Sequence, residues 1–250
     1  MIGNLKILFN QGKQYIPDIT TAEAPGIFRG RPEISTGQVD VKAMIELCPV
    51  NAIASNPINI DLGKCVFCGE CAFAFPNKIK FTKDYKIATN DRAGLIINEG
   101  ETKPITINQE SIRKEISKYF SGSLKLRQIC VGGDNSSELE LNACGNVNFD
   151  MGRFGIEFVA SPRHADGIVI TGPITENMAE PLQICYDAIP HPKIIILAGT
   201  DAISGGIFID SPALNRRFLN KYTIDLYVPG NPIHPLTFIN GVLELIRQRK

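Results

Sequence analysis

At 250 residues the chain is long enough for two modest domains, and 44% hydrophobic with 8% aromatic residues is the balance of a folded globular protein. Lysine plus arginine equals aspartate plus glutamate, 26 each, so net charge offers nothing to nucleic acid or to an anionic membrane surface. No apolar run approaches the roughly 20 residues of a transmembrane helix. No signal peptide is evident and the seven cysteines do not read as a disulfide framework, so a reducing, cytoplasmic setting is expected.

Residues 1–32 hold one short apolar stretch, Leu5-Lys6-Ile7-Leu8-Phe9, followed by Pro- and Gly-punctuated sequence through Ile27-Phe28-Arg29-Gly30-Arg31-Pro32. With no core of its own, this segment is expected to be an extended arm lying on something else. Residues 33–92 read as a small α+β unit, with a helix pattern at 41–47, the pair Cys48-Pro49, and short strands around Ile58, Ile60 and Ile79, Phe81. Residues 93–123 read as a connection ending in a helix, with Asn108 as cap for 111–119 and Ile112, Ile116 and Tyr119 at helical spacing. From 124 to 250 the rhythm changes. Branched apolar runs at 124–131, 156–160, 168–171, 194–198 and 223–228 alternate with helix patterns at 176–189 and 235–247. That alternation predicts βαβ units in an open, doubly wound, flavodoxin-like parallel sheet. Sites in such sheets form beyond the carboxyl ends of the strands, here the loops after Val131, Thr171, Ala198 and Val228.

The most specific chemistry lies in Cys65-Val66-Phe67-Cys68-Gly69-Glu70-Cys71, followed by Phe75-Pro76. Three cysteines at two-residue gaps are the ligand run of a bacterial ferredoxin, whose fourth cysteine, before the proline, serves a second cluster. Here Phe75 stands in that fourth place, and Cys48-Pro49, seventeen residues upstream of Cys65, supplies the missing ligand. No cysteine precedes Cys48, so one 4Fe-4S cluster is implied, on Cys48, Cys65, Cys68 and Cys71. A tetrathiolate zinc site is the competing reading.

Residues 124–249 resemble the small, cluster-bearing subunit shared by energy-converting membrane-bound nickel-iron hydrogenases, formate hydrogenlyase and respiratory complex I. The resemblance rests on Arg153-Phe154-Gly155-Ile156, Ala160-Ser161-Pro162-Arg163-His164-Ala165-Asp166, Thr171-Gly172-Pro173-Ile174-Thr175, Met178-Ala179, Gly199-Thr200, Ser204-Gly205-Gly206 and Val228-Pro229-Gly230. The segment Phe28-Arg29-Gly30-Arg31-Pro32-Glu33 resembles the ferredoxin-type subunit of the same complexes. The chain looks like a fusion of two neighbouring subunits. The implied division is an arm (1–32), a ferredoxin-like domain (33–92), a connector (93–123) and a small-subunit-like α/β domain (124–250).

In the family resembled, four cysteines of the α/β domain hold a second 4Fe-4S cluster. The matching positions here are Asp134, Ser137, Asp201 and Asn231. Iron of such clusters is held by thiolate sulfur, so four oxygen or amide replacements imply that this cluster is lost. A hard-cation pocket such as Mg2+ is the sharper alternative for these four; polar filling or water in a vacated cavity is the plainer one. The resemblance implies a docking scaffold, not catalytic by itself, carried on the cytoplasmic face by a large hydrogenase-like subunit and antiporter-like membrane subunits. It places Arg163 and His164 as candidate contacts to that large subunit, with a structural role as the alternative. An active relay fed by a soluble ferredoxin or another electron donor, and a non-redox subunit of a repurposed coupling complex, are the competing functions. Cys130, Cys144 and Cys185 fall on no ligand position and read as core packing. Gly132-Gly133 and Ser204-Gly205-Gly206 read as tight turns.

Overall fold

A computed structural model describes residues 2–12 and 14–247. Its first element corrects the expectation of an extended arm: Ile2–Gln11 is a helix, α1. Leucine, lysine and glutamine favour helix there, and the helix holds Leu5, Ile7, Leu8 and Phe9 exposed. Beyond it, turns and loops carry the chain across later parts of the sequence. Ile16 N–H donates to the Asn148 carbonyl (2.8 Å). Tyr85 Oη and Asn240 Nδ2 both donate to the Ile19 carbonyl at 2.8 Å, and Ile19 itself is buried.

Next come β1 (Pro32–Ile34), α2 (Val41–Glu46), β2 (Ile53–Ala54), β3 (Asn59–Asp61), α3 (Glu70–Ala74), β4 (Ile79–Phe81) and β5 (Ile96–Asn98). β1 pairs antiparallel with β4, and β2, β3 and β5 form a second antiparallel sheet in that order. Asp40 caps α2 by accepting from Ala43 N–H at 3.1 Å. Ile34, Met44, Ile60, Leu62, Ile79 and Leu95 make the core between these elements. A bidentate Arg92–Asp61 pair (2.8 and 2.7 Å) ties the turn before β5 to the end of β3.

The helix expected over 111–119 is divided. Asn108 caps only one 3-10 turn, Gln109–Ser111, and α4 runs Lys114–Phe120. Between them Arg113 adopts extended backbone (ψ 132°) and sends its guanidinium to Asp225, Nε to Oδ1 and Nη2 to Oδ2 both at 2.9 Å. Asp225 is buried, and an unpaired carboxylate there would cost more than an interrupted helix.

The remaining strands are β6 (Leu124–Cys130), β7 (Ile156–Phe158), β8 (Gly167–Thr171), β9 (Ile194–Ala198) and β10 (Leu226–Val228). All pair in parallel, in the order β10-β9-β8-β6-β7. This is the flavodoxin-like order, and its reversal point lies between β6 and β8. β8 and β9 are buried along their whole length, which is why they read as unbroken apolar runs. The helices are α5 (Ser136–Ala143), α6 (Glu176–Asp187), α7 (Thr200–Ser204), α8 (Arg217–Lys221) and α9 (Pro235–Ile246).

The two halves are joined through backbone as well as side chains. Thr89 forms an antiparallel bridge to Tyr227 on edge strand β10, N–O 3.1 and 2.8 Å, so the first half covers one edge of the parallel sheet. On α9, Gly241 permits the approach of Ala88: a Cβ at Gly241 would sit 2.5 Å from the Ala88 Cβ. α9 itself is almost completely buried.

Candidate functional site

Cys48 follows the end of α2, Cys65 and Cys68 lie on the loop entering α3, and Cys71 is in the first turn of α3. The fold brings all four to the wall of one small cavity, lined beside them mainly by apolar groups including Pro49, Val50, Ile53, Ile60 and Phe81, with Glu70 as the one charged residue. Two backbone amides already point at sulfur. Ala52 N–H donates to Cys48 Sγ (3.2 Å) and Phe67 N–H to Cys65 Sγ (3.3 Å). Burial first, with the neighbouring cysteines adding to it, pushes the Cys65 thiol up to about 12 and the Cys71 thiol up to about 11. Four thiolates in this space would repel one another, so a cation must accompany their ionisation. Cys68 alone of the four is exposed.

Among the described residues, no three His, Cys, Asp or Glu side chains are gathered closely enough to hold a single metal ion. The donor set, the apolar wall and the N–H groups aimed at sulfur fit an iron-sulfur cluster, whose inorganic core would supply one-electron chemistry when bound.

The second set of residues lies at the carboxyl ends of the parallel strands. Asn231 Nδ2 donates to Asp201 Oδ1 (3.4 Å), and Ser137 Oγ reaches to 2.9 Å from where a Cβ on Gly199 would stand. Asp201 also occupies the space a side chain at Gly206 would need, and Gly206 has a positive φ of 53°. Asp134 turns back on its own loop, its Oδ1 accepting from Ser136 N–H (3.0 Å) and Ser136 Oγ (2.6 Å). Asp201 and Asn231 thus meet each other, and Ser137 faces Gly199, at the loops beyond the carboxyl ends of the strands.

Half-buried Asp201 is pushed from 3.8 up to about 6, by burial first and then by Asp134 and Glu138. Because the folded state holds this proton more tightly than the unfolded one, the stability it contributes is full below pH 4 and is lost as pH rises through about 6. Replacing Asp201 by asparagine removes the charge and keeps the shape. The variant is expected to be more stable than the parent at pH 7.5 by about 1–2 kcal/mol, after discounting for partial exposure, with the difference fading toward pH 4. Urea unfolding at the two pH values checks this.

Arg163 and His164 lie elsewhere. They occupy a 3-10 turn, Pro162–His164, just ahead of the amino end of β8, and both are exposed. There Asp166 N–H donates to the Lys125 carbonyl and Ile194 N–H to the Asp166 carbonyl, at the starts of β6 and β9. The two residues therefore stand toward the opposite rim of the sheet from Ser137, Asp201 and Asn231. Of the other cysteines, Cys144 is fully buried, whereas Cys130 and Cys185 are half-buried and burial raises both thiols.

Two residues had no role assigned from sequence. Arg216 buries its guanidinium against backbone, donating to the carbonyls of Pro173 (3.1 Å), Asp201 (3.3 Å), Ala202 (3.0 Å) and Ile203 (2.6 Å). Desolvation lowers its pKa to about 10. Thr200 Oγ1 donates to the Cys65 carbonyl at 2.8 Å, a buried bond that joins the cysteine loop directly to the α/β half. The Gly199-Thr200 pair was legible as a motif, but the hydroxyl's partner lies 135 residues away.

Comparison with known proteins agrees with this architecture. The family described as NADH ubiquinone oxidoreductase, 20 Kd subunit, matches residues 133–245. A relative from Pyrococcus furiosus, named "Probable membrane-bound hydrogenase subunit mbhJ", is 33% identical over 144 residues, 56% of this chain and 86% of that protein. A subunit of the NADH-quinone oxidoreductase of Clostridium beijerinckii is 42% identical over 108 residues, 43% of this chain and 64% of its own. Formate hydrogenlyase subunit 7 of Escherichia coli is 34% identical over 151 residues, 58% of this chain and 59% of its own. The chain thus spans most of the first relative and somewhat under two thirds of the other two. Among the described residues no helix is long and apolar enough to cross a membrane. By its parallel sheet and by these matches, the chain belongs to the NADH ubiquinone oxidoreductase 20 kDa subunit family.

Proposed function

We propose that this protein is an iron-sulfur subunit of a membrane complex related to energy-converting hydrogenases and complex I. Cys48, Cys65, Cys68 and Cys71 hold one 4Fe-4S cluster, and the α/β half, its own ligand positions replaced by Asp134, Ser137, Asp201 and Asn231, docks against a large hydrogenase-like subunit, next to antiporter-like membrane subunits. The names of the relatives, a membrane-bound hydrogenase, a quinone oxidoreductase and a formate hydrogenlyase, support the kind of complex. The observation that carries the cofactor assignment is the single apolar cavity walled by all four cysteines. The two-residue gaps of Cys65, Cys68 and Cys71 together with the distant Cys48-Pro49 follow the ferredoxin pattern, which favours a cluster over one zinc ion. Arg163 and His164 remain exposed for a partner, but on the rim away from the replaced positions.

Iron and acid-labile sulfide per chain, measured on anaerobically purified protein with an electron paramagnetic resonance spectrum after reduction, test this reading. About four iron atoms and one reduced-cluster signal are expected. About eight would return a cluster to the α/β half, and one zinc without sulfide would refute the cluster outright. Co-purification with a large hydrogenase-like subunit from native membranes tests the docking role; recovery only as a free monomer counts against it.

A second reading, an active relay exchanging single electrons with a soluble ferredoxin or another donor, is favoured by the exposure of Cys68. That residue leaves one side of the cysteine cavity at the surface. Bleaching of visible absorbance by a reduced donor separates a relay from a structural cluster.

A further inference from the structure

Between Cys65 and Cys68 the chain is held in an unfavourable shape. Phe67 has φ 54°, in the left-handed region where a bulky aromatic is an outlier. Such a conformation persists only where the surroundings over-determine it. Two donors from distant parts of the chain grip the carbonyls on either side of that strain. Thr200 Oγ1 donates to the Cys65 carbonyl at 2.8 Å, from a residue with no exposed surface. Arg29 Nη1 donates to the Phe67 carbonyl at 3.1 Å. Arg29 also lies across Gly69, where a Cβ would come within 2.8 Å of its Nε. Thr200 is itself fixed, its N–H donating to the Gly230 carbonyl (2.8 Å) and its own carbonyl accepting from Ser204 Oγ (3.2 Å).

We propose that Thr200 and Arg29 are positioning residues for the cysteine centre, and that the α/β half serves as its outer shell, holding the ligand loop and setting its reduction potential. The proposal rests on the reading of Cys48, Cys65, Cys68 and Cys71 as cluster ligands. A carbonyl oxygen beside a cluster opposes the added negative charge of reduction, and a donor that ties it up weakens that opposition. The Arg29 cation acts in the same direction through its charge. The geometry thus gives a loop of the α/β half a task that needs no cluster of its own.

The test is a redox titration of anaerobically purified full-length protein, followed by electron paramagnetic resonance, for the parent, Thr200→Val, Thr200→Ser and Arg29→Gln. Thr200→Val and Arg29→Gln are expected to move the midpoint to lower potential at unchanged iron content, and Thr200→Ser to restore the parent value. Should Thr200→Val shed iron, Ile196→Val, a core change at a distance from the loop, supplies the comparison. Iron kept by Ile196→Val and by Thr200→Ser supports the positioning role, and iron shed by Ile196→Val as well overturns it. A parent that holds the cluster, with a midpoint and spectrum unmoved in Thr200→Val, sinks the proposal alone. A parent without iron and sulfide sinks the ligand reading, and the proposal with it.

Discussion

Replacing Cys65 by alanine is expected to drop bound iron from about four atoms per chain to fewer than one, and to abolish the reduced-cluster resonance. Cys65 is among the buried thiols of the set, it accepts from the Phe67 amide, and its own carbonyl is the acceptor for Thr200. Its environment is built for a sulfur that does not meet water, so neither water nor a mobile side chain can take its place. Because ligand binding and folding are linked, loss of the centre should also lower stability by several kcal/mol, or roughly 10 °C in melting temperature. Cys68→Ser provides the contrast. Cys68 is exposed, and a single oxygen ligand there should leave most of the iron bound with an altered resonance. Cys144→Ala is the control: Cys144 is buried beside the Glu140 carbonyl, away from the cavity of the other four, and its loss should leave the iron count unchanged. Iron content unchanged in Cys65→Ala would remove that residue from the ligand set.

Arg216→Met is expected to destabilise the α/β half by about 3 kcal/mol, read by denaturant unfolding. The guanidinium is the shared donor for four carbonyls, three of them in α7, and methionine fills much of its volume with no donor at all. Each buried carbonyl left without a partner costs about 1–3 kcal/mol, less than additively because the loop can relax toward water. The segment concerned, α7, carries Thr200 and Asp201, between β9 and the glycine pair Gly205-Gly206. A loss below about 0.5 kcal/mol, the scale of an ordinary surface substitution, would mean that the four bonds are incidental.

The parallel sheet was legible because its chemistry is local and repetitive. Strands buried on both faces must be apolar throughout, and the runs at Gly167–Thr171 and Ile194–Ala198 announce that without any knowledge of neighbours. The cysteine spacing was legible for a similar reason, since a loop of fixed reach presents ligands at fixed intervals. Where contacts span the chain, sequence was silent. The helix at 111–119 breaks because Arg113 answers a buried carboxylate 112 residues away. Ile2–Gln11 is helical where punctuation further along suggested an extended arm. Arg163 and His164, adjacent to the signature motifs in sequence, stand on the far rim because they immediately precede β8 and so fall at the amino ends of the parallel strands. Which hydroxyl meets which carbonyl, as with Thr200 and Cys65, is decided by how two separately readable halves dock. Residue types and periods therefore determined the elements and the candidate ligands. Only the tertiary structure decided how charges are paired, which side chains meet beyond the carboxyl ends of the parallel strands and how the two halves meet, because those depend on distances between residues that no local pattern encodes.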